Sequence, residues 1–289
     1  MVQLLVMWGF LISVVLFWSY LSLVAAGLQF LYGSMRIVNL AHGSFFVLGG
    51  FLASYLAGLV PLYVAIPLAT LSGAAAGVLF YIFIQPALGD ESRQLLATFT
   101  LFWLMEAFFR LAFGQGLYNT ADLAGSFGQL QIGDQILPVA NLYGIASVFI
   151  LFAVLYLVTY KTTFGMYLRA AVDNAEMARS LGVPVPKIVL ASSALGLGVA
   201  AFGGALSSMW QNFTLGLAGT VLVYAFAAVA ISGLGSVYGV LLSSLIVSLI
   251  RTAAVYYAPQ FEIFAIYIAV LGVLAARPSG LFVKYERRV

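Results

Sequence analysis

Residues 161–187 read KTTFGMYLRAAVDNAEMARSLGVPVPK. This is the long polar interruption that carries helix signals rather than loop signals, and apolar sequence lies on both sides of it. A basic segment between apolar spans stays on the cytoplasmic side, because Lys and Arg resist translocation. The segment therefore sets the orientation of everything around it, and it offers a surface to a soluble partner. Asp173 is expected to cap a short helix, with Glu176 three residues on as an Asp variant of the capping box. Gly182 stands where a left-handed residue ends a helix, and Pro184 stops it from continuing. A helix of about eight residues is below the roughly 12–15 at which isolated helices become marginal in water, so packing must hold it. Ala175, Met177, Ala178 and Leu181 form its small and apolar face, with Arg179 pointing elsewhere. Docking onto a partner and lying flat on the lipid surface are both open on this reading.

The flanking sequence is membrane. The chain has 289 residues, of which 64% are hydrophobic and 7% charged, with a mean hydropathy of +1.10. A soluble domain carries about 25% charge, so the fold class is an all-α polytopic membrane protein, one transmembrane domain over 1–289. Cysteine is absent and there is one histidine, which excludes disulfides, thiolate centres and multi-histidine metal sites. No metal or cofactor is expected. The net charge of +3 reflects orientation in a lipid bilayer and not nucleic-acid binding. No Lys or Arg precedes Arg36, so residues 4–32 are expected to be a first span rather than a cleavable signal.

A span needs about 20 apolar residues. Further spans are expected near 40–58, 62–84, 95–113, 138–160, 188–210, 218–233, 237–257 and 260–276. Residues 114–137 form a Gly-rich polar loop with Asp122 and Asp134. The count is eight to nine, nine if no short segment is re-entrant. Alternation from a cytoplasmic 161–187 places 33–39, 85–94 and 277–289 on the same side. Those segments hold Arg36, Arg93, Lys161, Arg169, Arg179, Lys187, Arg277, Lys284, Arg287 and Arg288, against Arg110 and Arg251 outside. The bias predicts a cytoplasmic C-terminus.

Two apolar stretches are broken by small and polar residues: Asn39-Leu40-Ala41-His42-Gly43-Ser44 and Ser232-Gly233-Leu234-Gly235-Ser236. Freed backbone groups in lipid need partners, so such breaks sit inside protein or beside a cavity. Paired broken segments in two halves point to a transport site between repeats, and a weak internal repeat is read around these two; tight turns between adjacent spans are the alternative. Gly73/Gly77, Gly235/Gly239, Ala194, Gly198, Gly203 and Gly204 are read as packing devices. Glu106 and Arg110 are expected to pair at i, i+4, and Arg251 to pair with Glu262 across an outer turn. No lysine follows a glycine, so no Walker A loop exists, and no catalytic constellation of acid, base and histidine is found. His42 is the one deep ionisable group, suited to a substrate carboxylate, a backbone carbonyl or a structural role. With so little buried acid, the energy source for any transport is expected to be external.

Four blocks resemble the permease subunit of ABC importers for branched-chain amino acids, the hydrophobic amino-acid uptake family. Asn39-Leu40-Ala41-His42-Gly43 is similar to the family's Asn-Phe-Ala-His-Gly. Gly165, Arg169 and Ala170, followed by Ala178, Leu181 and Gly182, are similar to its cytoplasmic loop. Gly233, Gly235, Ser236 and Gly239 are similar to its Gly-rich segment, and Arg277-Pro278-Ser279-Gly280-Leu281-Phe282 to its C-terminal signature. Leu40, Ser44, Ser232 and Val283 depart from the pattern, which leaves the substrate open among branched-chain amino acids, urea, short amides and aromatic acids.

The resemblance implies a non-enzymatic transport subunit of a bacterial inner membrane. Its loop would be a coupling helix meeting one of two cytoplasmic ATPase subunits through Gly165, Arg169, Ala170, Asp173, Glu176, Ala178, Leu181 and Gly182. A second homologous permease subunit and a periplasmic solute-binding protein would complete the assembly. Asn39, His42, Gly43, Ser44, Gly233, Gly235 and Ser236 would border the substrate pathway. A self-sufficient secondary carrier or channel is the alternative of a different class.

Overall fold

A computed structural model describes residues 2–35, 37–132, 135–233 and 237–282. The helices are α1 Val2–Met35, α2 His42–Leu56, α3 Leu62–Ile84, α4 Glu91–Phe113, α5 Ala121–Gly125, α6 Val139–Lys161, α7 Thr163–Asp173, α8 Ala175–Ser180, α9 Val185–Ser207, α10 Leu217–Ser232, α11 Val237–Tyr257 and α12 Glu262–Ala276. A two-stranded antiparallel hairpin, β1 Gln129–Ile132 and β2 Gln135–Pro138, precedes α6.

Among the described residues seven helices are long and apolar enough to cross a membrane. Two further apolar helices, α2 with 15 residues and α10 with 16, fall short of the ~20 residues of a full crossing. The polar stretch 114–137, expected as loop, holds α5 and most of the hairpin.

Helices α1 and α9 are apolar on every side and lie at the centre, as an all-round hydrophobic helix must. In lipid there is no hydrophobic drive between helices, so close packing of small residues holds them together. On α9 these residues face three neighbours. A methyl group on Gly204 would strike the Phe46 carbonyl of α2, one on Gly77 of α3 would meet the Ser193 carbonyl at 2.7 Å, and one on Gly27 of α1 would meet the Gly196 carbonyl at 2.5 Å. The glycines read as packing devices at 73, 77, 198, 203 and 204 all meet a neighbouring helix. Gly235 lies outside the described residues.

The packing is reciprocal. α3 lies on α9 as α11 lies on α1; α2 lies on α9 as α10 lies on α1; α2 touches α3 and α4 as α10 touches α11 and α12; and α2 meets α10. The repeat is thus carried by α1–α4 and α9–α12. The two breaks are not equivalent within it, since one precedes α2 and the other follows α10.

Only the second break lies at the end of the bundle that carries the 161–187 segment; the first reaches deeper, with Gly43 against Ala218 in the first turn of α10, fifteen residues or about 22 Å of helix before Gly233. Tyr160 stacks on Tyr238, with ring centroids 6.4 Å apart, which joins the end of α6 to the start of α11. Thr98 Oγ1 donates to the Val38 carbonyl at 3.3 Å, bringing the first part of α4 to the first break. Arg93, Lys161, Arg169, Arg179, Lys187 and Arg277 share this end. Arg110 follows Arg93 by 17 helical residues, about 25 Å at 1.5 Å per residue, and belongs to the opposite end, as does Arg251 of α11. Arg36, Asp134, Lys284, Arg287 and Arg288 lie outside the described residues.

Candidate functional site

The first break turns the chain back into the bundle. Asn39 Oδ1 accepts from Ala41 N at 3.0 Å and the Asn39 carbonyl from His42 N at 3.2 Å, an Asx-type turn that suits asparagine. α2 then starts with His42, whose Nε2 lies 3.0 Å from the Val24 carbonyl. A carbonyl only accepts, so Nε2 carries the proton. Val24 precedes the end of α1 by eleven residues, or about 16 Å of helix. Asn39, His42, Gly43 and Ser44 are all fully enclosed within this one chain. Asn39 Nδ2, His42 Nδ1 and Ser44 Oγ have no partner among the described residues. Gly43 packs directly on the Ala218 carbonyl of α10, where no side chain fits.

The second break begins at Gly233, which caps α10 with a left-handed φ of +88°. Gln29 of α1, completely buried, donates through Nε2 to the Gly233 carbonyl at 2.8 Å. Ser232 is buried beside it. Gly235 and Ser236 lie outside the described residues.

The segment 161–187 folds as two helices, not one. Thr162 caps α7 by accepting from Gly165 N at 3.1 Å, and Gly165 lies against the Val158 and Thr159 carbonyls so closely that only glycine fits. Arg169 donates to the Thr159 carbonyl and its guanidinium stands over the Tyr160 ring, 5.3 Å from the centroid. A cation at the carbonyl end of α6 is the favourable place for it, and it fixes α7 to α6. Ala170 is half-buried on α7.

The expected cap is corrected by one residue. α7 continues through Asp173, which is exposed, and Asn174 turns extended at φ −154° and accepts from Met177 N at 2.9 Å. Asn174 has the same short acceptor chemistry as Asp173. Glu176 is then the second residue of α8, one position short of the capping-box partner. The other end follows expectation. Gly182 is left-handed at φ +84°; its N–H donates to the Arg179 carbonyl at 2.9 Å, and Val183 N–H donates to the Ala178 carbonyl at 2.9 Å, the paired bonds of a Schellman end. The proposed apolar face divides. Ala178 is buried, whereas Met177 and Leu181 are 62% and 76% exposed, with Ala175, Glu176 and Arg179 exposed beside them.

Of the two expected ion pairs, one forms. Arg251 Nε lies 2.8 Å from Glu262 Oε1. The Tyr224 hydroxyl donates to the same oxygen, and the guanidinium stands 4.5 Å from the Phe17 ring centroid. Glu106 instead accepts from Gly216 N at 3.1 Å, at the start of α10, and makes no ion pair with Arg110 among those described. The i, i+4 spacing is outcompeted because α10 presents an unsatisfied N–H at its first turn.

Sequence reasoning missed Gln29, Asn174 and Tyr238. Asn174 follows Asp173 in the chain, so the extended residue at the junction could have been either. Gln29 and Tyr238 carry no local signal, since their partners are 204 and 78 residues away. Among the described residues no group of three His, Cys, Asp or Glu side chains converges on a metal position.

Buried breaks in a reciprocal bundle of apolar helices, with an exposed two-helix loop at one end, make this a polytopic α-helical membrane protein. The chain belongs to the family described as branched-chain amino acid transport system / permease component, whose profile matches residues 10–280. It is similar to a probable branched-chain amino acid transport permease protein LivH of Methanocaldococcus jannaschii, with 26% identity over 84% of this chain and 79% of the relative. It is similar also to the high-affinity branched-chain amino acid transport system permease protein BraD of Pseudomonas aeruginosa, 22% identical over 93% of each chain. LivH of Escherichia coli K12 is 22% identical over 93% of this chain and 92% of its own. A solved structure titled PsaBC from Streptococcus pneumoniae in complex with Fab aligns at a TM-score of 0.48 and 15% identity, covering 91% of this chain and 88% of that one.

Proposed function

We propose that this chain is the membrane-spanning subunit of an ATP-driven importer that moves branched-chain or related hydrophobic amino acids across a bacterial inner membrane. The observation that carries the proposal is α8: a six-residue helix, capped at both ends and held through Ala178, that presents Met177 and Leu181 to the outside at the end where the bases gather. A helix so short does not persist alone, and two exposed apolar side chains beside Glu176 and Arg179 suit a groove in a soluble partner. That partner is read as one of two cytoplasmic ATPase subunits, which makes this the cytoplasmic end and puts the C-terminus there. Gly165, Arg169, Ala170, Asp173, Glu176, Ala178, Leu181 and Gly182 belong to this contact or hold it in shape.

Asn39, His42, Gly43 and Ser44, together with Gly233, Gly235 and Ser236, border the substrate pathway. The described ones, Asn39, His42, Gly43, Ser44 and Gly233, are buried, and nucleotide-driven movement of the loop rocks the two short helices α2 and α10 apart as packed units. A second homologous permease and a periplasmic solute-binding protein complete the assembly.

Reconstitution tests the reading. In liposomes the chain alone is expected to give no leucine uptake under any ion gradient; uptake is expected only with the ATPase pair, the second permease and the binding protein present, and only with ATP. Gradient-driven flux through the chain alone would identify a self-sufficient carrier or channel and end the proposal.

A further inference from the structure

Residues 277–282, Arg-Pro-Ser-Gly-Leu-Phe, have no part in the contact just described, yet they reach the second break. α12 ends at Ala276, and the chain turns through Gly280, left-handed at φ +84° and donating to the Arg277 carbonyl at 3.0 Å. Leu281 N–H then donates to the Ile231 carbonyl at 2.9 Å and Phe282 N–H to the Ser232 carbonyl at 3.1 Å. With Gln29 on the Gly233 carbonyl, three successive carbonyls at the end of α10 are each met by a donor from outside that helix.

These are the carbonyls that a helix end leaves without intrahelical partners. Ile231, Ser232 and Gly233 are buried, and lipid offers no donors to replace the missing ones. The approach is close. A methyl group on Gly280 would collide with Gly233 N and Cα and stand 2.9 Å from the Ser232 carbonyl carbon. Gly280 is therefore required twice, by its left-handed backbone and by contact with another backbone.

We propose that residues 277–282 are a strap whose backbone donors complete the broken end of α10, so that α10 and the end of α12 move as one unit, with Gly280 as the positioning residue. The strap sets the shape of the second break, and its bonds are kept throughout transport. The transport arm of the test rests on the importer reading above; the labelling arm does not.

The chain contains no cysteine, so Ser232→Cys introduces a single thiol under the strap. In the purified full chain a water-soluble maleimide is expected to label it slowly. Adding Gly280→Val raises the labelling rate at least tenfold and Gly280→Ala by a smaller factor. Gly272→Val, on α12 with open space around it, leaves the rate unchanged. In the complete assembly, a bridge closed between Ser232→Cys and Phe282→Cys leaves uptake at the level of the single-thiol controls. An unchanged labelling rate in Gly280→Val would show that the strap does not shape the break. Uptake that stops on bridging and returns with reductant would show that the strap opens in each cycle, and overturns the single moving unit. If the unbridged parent assembly imports nothing, the importer reading fails while the labelling result stands.

Discussion

Arg251 of α11 and Glu262 of α12 meet at 2.8 Å across the turn that joins their helices, at the end opposite the loop. Tyr224 of α10 shares the carboxylate and Phe17 of α1 lies under the guanidinium, so one pair ties four helices. Both side chains keep some access to solvent, 30% for Arg251 and 23% for Glu262. The cost of breaking the pair is therefore below the roughly 3–5 kcal/mol of a fully buried one. Arg251→Ala or Glu262→Ala is expected to lower stability by about 1–3 kcal/mol, read as a fall in the thermal unfolding midpoint of the purified chain. Arg251→Met with Glu262→Leu should recover most of it, because the greater part of the loss comes from the charge left behind. A double variant as unstable as the sum of the singles would contradict this.

Asn174, not Asp173, caps α8. Asn174→Ala is expected to cost about 1 kcal/mol locally and to speed proteolysis between 174 and 182 several-fold. Asp173→Ala, an exposed change in the last turn of α7, should leave the cleavage rate unchanged. Equal effects from the two substitutions would return the cap to the position that the spacing suggested.

How much of this was legible depended on sequence distance. The helix bounds near Pro61, Asp90, Lys161, Gly182 and Gly233 follow from local chemistry: Pro61 precedes α3, Asp90 caps α4 through Arg93 N, Lys161 ends α6, and Gly182 and Gly233 take positive φ. The choice between Asp173 and Asn174 failed at the level of one residue, since both side chains offer the same acceptor. Glu106 failed for a different reason. Its helical neighbour Arg110 was visible in the spacing, whereas the competing N–H of Gly216 lies 110 residues away. The repeat was sensed through its two breaks, yet only the packing of α3 on α9 and α11 on α1 reveals where its halves lie. At the candidate site, Asn39, His42 and Gly233 were marked by composition. That Gln29 and the strap close on Gly233 required the fold.

Gly43 lies against the Ala218 carbonyl with no room for a methyl group. Gly43→Ala is expected to force α2 and α10 apart by several tenths of an ångström and to cost about 1–3 kcal/mol, the range for overpacking. Gly219→Ala, one residue further along α10 and with only the Phe102 ring at 3.7 Å, should be tolerated. Thermal midpoints of the two purified variants check the contrast, and Gly43→Ala as stable as the parent would show that α2 and α10 are not in firm contact.

Met177 and Leu181 separate a folding role from a docking role. Exposed side chains in a free subunit contribute little to its own stability, so Met177→Ser with Leu181→Ser should change the unfolding midpoint of the isolated chain by less than about 0.5 kcal/mol in free-energy terms, the range for surface substitutions. The same double change removes the two apolar contacts offered to a partner, and binding energy concentrates in a few such side chains. On the proposed importer reading, co-purification with the ATPase subunits is then expected to fall at least tenfold, and stimulation of ATP hydrolysis by loaded binding protein to disappear. Ala178→Leu is the complementary probe. It enlarges a buried position under α8, so it should destabilise the loop itself, visible in the isolated chain as faster proteolysis before any partner is added. If the serine variant assembles and couples normally while Ala178→Leu fails only in the full assembly, the exposed and buried faces of α8 have the opposite roles to those assigned here.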